Sequence, residues 1–143
     1  MVLEDILIIE DEPDDQTLIK RAFKKNKISN KIIIAEDANI ALDMLLGRNN
    51  YFGNLIRPKF ILMDLKMPKM NGLELLKILK SNKLTKYIPI IVFTSSNEEQ
   101  DLIKSYEIGA NSFIKKPIDF EELNLIVGKI AEYWLRMNHA YVE

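Results

Sequence analysis

Five short apolar runs recur along the chain, each made mostly of aliphatic or aromatic residues and each followed by polar or acidic ones. Continuous apolar runs of this length are typical of strands that are buried on both faces of a sheet. The pattern therefore predicts five buried strands. They are expected at residues 6–9, 31–35, 60–63, 88–93 and 112–114.

Between these runs, apolar residues recur three or four positions apart, which predicts amphipathic helices. Asp37 and Asp119 each stand just before such a segment, where a carboxylate can cap the first turn. Gly47 and Gly109 follow the last apolar position of two segments and are expected to end those helices. The five helices are expected over approximately residues 13–25, 38–46, 73–79, 97–108 and 120–134.

Strands and helices thus alternate along the whole chain. Buried strands joined by helical crossovers require a parallel sheet with helices on both faces. The chain has 143 residues, no Gly/Ser-rich linker and no internal repeat, so we expect one α/β domain over residues 1–143. In such folds the reactive groups gather at the carboxyl ends of the strands.

Composition narrows the possible functions. The chain has 20 basic and 21 acidic residues, which gives no general attraction to nucleic acid or to acidic lipid. It has no cysteine, which excludes disulfides, thiolate metal sites and cysteine nucleophiles. A single histidine, His139, cannot build a site of several histidines.

Hydropathy gives no indication of a membrane protein. No apolar stretch approaches the length of a membrane span, and acids precede the first apolar run where a signal peptide would have basic residues. We therefore expect a cytoplasmic protein with neither a membrane nor a nucleic-acid partner.

Charged and polar residues follow four of the five predicted strands. Glu10-Asp11-Glu12 follows the first strand, Asp64 the third, Thr94 the fourth and Lys116 the fifth. Because parallel strands end at one edge of the sheet, these side chains are expected to meet there. Carboxylates so close together repel one another unless they share a cation, and an all-oxygen set of ligands suits Mg²⁺.

A magnesium ion beside a carboxylate, a hydroxyl and an ammonium group is a typical phosphoryl-transfer site. A carboxylate such as Asp64 can accept a phosphoryl group and form an aspartyl phosphate. The transfer depends mainly on positioning the phosphoryl group and neutralising its oxygens. The metal ion, Lys116 and Thr94 could each serve one of those oxygens.

The ordered set of strand-end residues resembles the receiver domain of two-component response regulators. The residues concerned are Glu10-Asp11-Glu12, Asp64-Leu65-Lys66-Met67-Pro68, Gly72, Thr94-Ser95 and Lys116-Pro117. The resemblance extends over essentially the whole chain. It implies a flavodoxin-like fold, a five-stranded parallel sheet of order 2-1-3-4-5 with five helices.

The resemblance also implies a role for each strand-end acid. Asp64 would accept a phosphoryl group from a partner histidine kinase. The carboxylates of Glu10, Asp11 and Asp64 would bind Mg²⁺ or Mn²⁺. The backbone carbonyl of Lys66 would be a further metal ligand.

The remaining positions of the motif would bind the phosphoryl group and respond to it. Thr94 and Lys116 would bind its oxygens. Thr94 and Phe113 would act as the switch pair, with Phe113 offering an apolar ring where many receivers have tyrosine. Pro117 would follow a cis peptide bond.

Among receivers, the chain resembles the small regulators that are paired with bacterial phytochromes in cyanobacteria. The likeness rests on the loop over residues 47–58 and on residues 93–99, 105–106 and 132–135. It implies a stand-alone regulator without an output domain, a phytochrome-like photoreceptor kinase as partner, and a homodimer formed through the last strand and helix.

Simpler interpretations of these residues stay open. Taken alone, Glu10-Asp11-Glu12 could be a solvated acidic turn, and Glu12 is not counted among the metal ligands. Of the pair Lys115 and Lys116, the residue next to the proline is expected to point inward. Phe113 could be an ordinary core residue rather than a switch. Tyr133-Trp134 could complete the core or form an exposed apolar patch.

Three other functions are known for α/β sheets or strand-end aspartates of this kind. A flavodoxin-like electron carrier needs phosphate-binding hydroxyls and glycines after the first strand, where this chain has acids. Phosphatases with an aspartate nucleophile resemble one another in carrying a second aspartate two residues after it, and this chain has Lys66 at that position. An interaction module that is never phosphorylated would not need the full set of Asp64, Thr94 and Lys116. We therefore expect a phosphoacceptor signalling protein, not an enzyme, that supports its own phosphorylation and slow dephosphorylation.

Overall fold

The five apolar runs form one parallel sheet in the computed structural model, which describes residues 4–141. The strand order is β2-β1-β3-β4-β5, as the resemblance implied. The strands are β1 Ile6–Ile9, β2 Ile32–Ala35, β3 Phe60–Met63, β4 Ile90–Thr94 and β5 Ser112–Lys115. The expected start of β4 at residue 88 is two residues early, because the N–H of Ile88 bonds to the Thr85 carbonyl in the preceding turn.

The helices follow the predicted segments closely. They are α1 Pro13–Lys25, α2 Ala38–Leu46, α3 Gly72–Ser81, α4 Glu99–Ile108 and α5 Phe120–Ala131. A short 3₁₀ turn covers Asn49–Tyr51, and a π-helical segment, Glu132–Met137, continues α5. No helix within residues 4–141 is both long and apolar enough to cross a membrane.

Local chemistry accounts for the helix ends. The Asp37 side chain accepts a hydrogen bond from the N–H of Ile40 at 2.8 Å, and the Asp119 side chain accepts one from Glu121. Both carboxylates cap their helices as predicted. Gly47 ends α2 with φ of +70°, in the left-handed region that glycine adopts without steric cost.

Two apolar layers, one on each face of the sheet, form the core. Leu7 and Ile9 point into the layer that α2 and α3 cover. Ile6 and Ile8 point into the opposite layer, which α1 and α5 cover. Both layers are buried, so β1 needs no polar face, and its unbroken apolar run is explained. The sheet is thereby held rigidly, and the positions of the residues at its carboxyl edge are fixed.

Candidate metal and phosphoacceptor site

Glu10, Asp11 and Asp64 form one cluster at the carboxyl edge of the sheet. Each offers a carboxylate oxygen, and these oxygens all lie within 4.8 Å of one another. The parallel register explains the meeting, because Ile9 pairs with Met63 and the next residue on each strand is an acid. Glu10 is 1% exposed and Asp64 is 7% exposed, so the cluster lies largely out of water.

The backbone of the first loop holds Glu10 in place. Its carbonyl accepts a hydrogen bond from the Gln16 side chain at 2.7 Å, and its Oε2 accepts one from the N–H of Glu12 at 3.2 Å. The side chain of Glu12 is exposed and lies outside the cluster. Gln16 is a contributor that the sequence analysis did not single out, since a glutamine in a helix has no distinctive pattern.

Lys116 lies at the centre of the carboxylates. Its ammonium contacts Glu10 Oε1, lies 3.0 Å from Asp64 Oδ2 and lies 3.1 Å from Asp15 Oδ2. The side chain of Lys116 is only 11% exposed, whereas Lys115 is at the surface and donates to the Asn97 side chain. The structure thus places Lys116 inward, where the neighbouring proline suggested it would be.

Burial and pairing act in opposite directions on these groups. Burial raises the pKa of Glu10 to about 7, although the hydrogen bond and charge of Lys116 act to lower it. Burial would lower the pKa of Lys116, but the hydrogen bond that Lys116 donates to Glu10 and the charges of Asp64 and Glu10 outweigh burial and raise it. Lys116 is therefore a permanent cation in the cluster.

The two carboxylate oxygens of Asp64 have different surroundings. Oδ1 accepts hydrogen bonds from the backbone N–H groups of Leu65 at 2.7 Å and of Lys66 at 3.4 Å. Oδ2 faces Lys116. The Lys66 backbone therefore lies beside the cluster, while its side chain points to solvent.

Thr94 is fully buried at the end of β4. Its hydroxyl accepts a hydrogen bond from the N–H of Ser96 at 3.2 Å, and its carbonyl accepts one from the N–H of Lys116 at 2.8 Å. The Ser96 hydroxyl in turn donates to Asp101 Oδ2 at 2.6 Å, which joins the loop after β4 to α4. The contact between Ser96 and Asp101 was not predicted, because it depends on how α4 packs.

Phe113 pairs in register with Val92 of β4 and is half-buried against the core layer of α2 and α3. Its N–H donates a hydrogen bond to the Tyr106 hydroxyl of α4 at 3.1 Å. Phe113 therefore packs in the core and also touches α4, a position compatible with both interpretations of this residue.

One expectation about this edge is wrong. The structure has no cis peptide bond within the described residues, so the bond between Lys116 and Pro117 is trans. In this conformation the Lys116 side chain still reaches Glu10 and Asp64.

Comparison with known proteins identifies the family. A model of the response regulator receiver domain matches residues 6–127. The chain belongs to this family. Receiver domains are the phosphoacceptor components of two-component signalling, so the resemblance seen in the sequence is confirmed.

Two curated relatives match this receiver domain over most of its length. Response regulator Rcp1 of Synechocystis sp. is 36% identical over 130 residues, which are 91% of this chain and 88% of Rcp1. FilR2 of Methanothrix harundinacea is also 36% identical, over 135 residues that cover 94% of this chain and 86% of FilR2.

Solved structures confirm the receiver fold. The phosphorylated cyanobacterial phytochrome response regulator RcpA superposes with a TM-score of 0.92 at 31% identity, covering 99% of this chain and 100% of RcpA. The Mn²⁺-bound form of Rcp1 superposes with a TM-score of 0.89 at 34% identity, covering 97% of this chain and 99% of that one.

Proposed function

We propose that this receiver domain accepts a phosphoryl group on Asp64 from a histidine kinase, in a reaction that requires Mg²⁺ or Mn²⁺. The observation that carries the proposal is the meeting of Glu10, Asp11 and Asp64 with the ammonium group of Lys116 at one edge of the sheet. The family and the phosphorylated state of RcpA support the same chemistry.

The carboxylates fit a divalent ion. Three acids whose oxygens lie within 4.8 Å of one another repel strongly, and the single charge of Lys116 offsets only part of that repulsion. Glu10, Asp11 and Asp64, with the backbone carbonyl of Lys66, would hold the ion, and Mn²⁺ in Rcp1 supports this choice. When bound, it supplies positive charge that neutralises oxygens of the phosphoryl group.

Each remaining residue of the site has a defined part in the transfer. The P–N bond of the kinase phosphohistidine breaks as a P–O bond forms to the Asp64 carboxylate, and the imidazole leaves. Lys116 would bind one phosphoryl oxygen and Thr94 another. Asp64 would release the group slowly to water, so the protein is an acceptor and not an enzyme with a separate substrate.

A half-open apolar cavity beside the site supports docking of a kinase. It has a volume of about 220 Å³, and its lining includes the charged residues Lys116 and Asp15 and the apolar residues Leu18, Phe120 and Ile118. Ile118 is fully exposed. We propose that an apolar segment of the kinase packs here while its phosphohistidine reaches Asp64.

The kinase is proposed to be a phytochrome-like photoreceptor, on the basis of the likeness to RcpA. Because FilR2 is as similar in sequence as Rcp1, a phosphotransfer screen should also include kinases without a chromophore.

The response to phosphorylation is proposed to pass from Thr94 to Phe113. In the structure the Thr94 hydroxyl is engaged by the N–H of Ser96, and a bound phosphoryl group would draw that hydroxyl away. Phe113 would then move and repack the face formed by α4, β5 and α5. This is a population shift between two packed states, and it would change affinity for a partner or a second copy.

A groove along β5 and α5 supports a homodimer. Its volume is about 470 Å³, and its apolar lining includes Ile114, Ile130 and Tyr133. Tyr133 is exposed, whereas Trp134 is partly buried against the core. β5 is also an edge strand with unpaired backbone groups. Output is then proposed to run through binding at this groove.

Phosphorylation in solution tests the proposal. The protein is incubated with acetyl phosphate and Mg²⁺, and intact mass is measured. We expect a mass gain of one phosphoryl group that hydroxylamine removes, that EDTA prevents and that Asp64→Asn abolishes. Asp5→Asn, at the opposite end of β1, is the control and should be labelled like the wild type.

Retained labelling of Asp64→Asn would refute the assignment of the acceptor. Steady turnover of a phosphomonoester would favour the phosphatase instead. Size-exclusion chromatography with and without beryllofluoride then tests the switch. We expect beryllofluoride to change the dimer fraction of the wild type, and to change it less in Thr94→Ala.

A further inference from the structure

The ammonium group of Lys116 has three N–H donors, and three carboxylates receive them. Two of these acids, Glu10 and Asp64, belong to the metal cluster. The third is Asp15 of α1, whose Oδ2 lies 3.1 Å from Lys116 Nζ. Neither the sequence motif nor the resemblance gives Asp15 a role.

Asp15 differs from the other two acids because it is not a proposed metal ligand. It lies outside the group formed by Glu10, Asp11 and Asp64, and its side chain is 40% exposed. Because Glu10 and Asp64 are proposed metal ligands, their contacts with Lys116 would compete with metal binding. Asp15 is then the carboxylate whose contact with Lys116 does not compete with metal binding.

Hydrogen bonds fix the backbone of the helix turn that carries Asp15. α1 begins at Pro13, whose fixed φ suits the first helical residue. The backbone N–H of Gln16 donates to the Glu12 carbonyl at 3.0 Å, and the Gln16 side chain donates to the Glu10 carbonyl at 2.7 Å. The first turn of α1 is therefore tied directly to the end of β1, beside the site.

We propose that Asp15 is a positioning residue, which holds the ammonium group of Lys116 beside Asp64 so that it meets the incoming phosphoryl group. This role rests on the proposed function. The lysine side chain has a flexible four-carbon stem, so a fixed acceptor is needed to keep its charge in one place. Misplacement of a catalytic group by about 1 Å can cost up to about 100-fold in rate.

Substitutions at Asp15 test this role. The phosphorylation rate with acetyl phosphate is measured as a function of Mg²⁺ concentration for the wild type, Asp15→Ala, Asp15→Ser and Asp15→Asn. Asp14→Ala is the matched control, because Asp14 is the exposed neighbour in the same turn. Thermal unfolding of each variant checks that it is folded.

For Asp15→Ala and Asp15→Ser, we expect the rate at saturating Mg²⁺ to fall about tenfold, because neither side chain reaches Lys116. The Mg²⁺ concentration at half-maximal rate should change less than about twofold, since no metal ligand is removed. Asp15→Asn should keep most of the rate, because its amide oxygen still accepts from Lys116.

Three results would overturn the role of Asp15. They are a rate for Asp15→Ala equal to that of Asp14→Ala, a rate for Asp15→Asn as low as that for Asp15→Ala, and a loss of Mg²⁺ affinity that accounts for the whole effect. In each case a labelled wild type leaves the proposed function intact. An unlabelled wild type would overturn the proposed function, and this role with it.

Discussion

Gly72 brings the start of α3 against the backbone that carries Asp64. A Cβ atom on Gly72 would lie 2.5 Å from the Asp64 carbonyl oxygen and 2.6 Å from Leu65 Cα. The N–H of Gly72 donates to the Leu65 carbonyl at 2.8 Å, which ties the two segments together. A side chain has no room here, so any substitution of Gly72 would displace the backbone of Asp64, the proposed acceptor residue.

Gly72→Ala is therefore expected to displace the backbone of Asp64 and Leu65. Overpacking of this kind costs about 1–3 kcal/mol in the free energy of unfolding, and the displaced carboxylate should also bind Mg²⁺ more weakly. Urea unfolding and a Mg²⁺ titration measure the two effects. The control is Lys77→Ala on the exposed face of α3, expected within about 0.5 kcal/mol of the wild type. An alanine variant with wild-type stability and wild-type Mg²⁺ affinity would contradict the steric argument.

Lys80 joins three elements at the end of the sheet opposite the site. Its ammonium donates to the Ile88 carbonyl at 3.1 Å and to Asn111 Oδ1 at 2.8 Å. The same Asn111 oxygen accepts from the N–H of Ile90, where β4 begins. α3, β4 and the turn before β5 are thus linked through one partly buried lysine, and burial lowers the pKa of that lysine to about 8.

This lowered pKa predicts how stability changes with pH. Between about pH 8 and 10.5 the unfolded chain keeps the Lys80 proton while the folded protein releases it. The free energy of unfolding therefore increases as the pH rises. Below pH 8 both states are protonated and the cost of the buried charge is present in full. Compared with Lys80→Met, the wild type should therefore become relatively more stable from pH 8 to pH 10. The prediction would be refuted if urea unfolding gave the same change in stability with pH for the wild type and for Lys80→Met.

At the scale of the whole molecule, the acidic cluster proposed to bind a metal depends on the folded sheet. Its acids follow β1 and β3, and its cation follows β5, positions that are far apart in the unfolded chain. An ion that binds only the folded protein stabilises it by mass action.

Mg²⁺ is accordingly expected to raise the unfolding midpoint, with a stabilisation of about 2.7 kcal/mol at 100 times the dissociation constant. Asp11→Asn removes a proposed ligand and should abolish most of this shift. Glu12→Gln, the adjacent exposed acid outside the cluster, should keep it. The unfolding midpoints are measured by differential scanning fluorimetry. Equal Mg²⁺-induced shifts in the two variants would indicate general screening of surface charges rather than binding at a site.

Local patterns in the sequence were enough to predict the layered fold and the strand-end site. Each strand is an unbroken apolar run because both of its faces are buried, and the Asp37 and Asp119 caps bond to residues only two or three positions away. The meeting of Glu10 with Asp64 follows from parallel register alone. These features depend on periodicity and on nearest neighbours, which a sequence displays directly.

Contacts between elements that pack side by side were decided only by the tertiary structure. Lys116 meets Asp15 across 101 positions, and Lys80 meets Asn111 across 31. Each of these depends on the distance and rotation of one element against another. Packing of the complete core fixes those quantities, and no local pattern of apolar and polar residues encodes them.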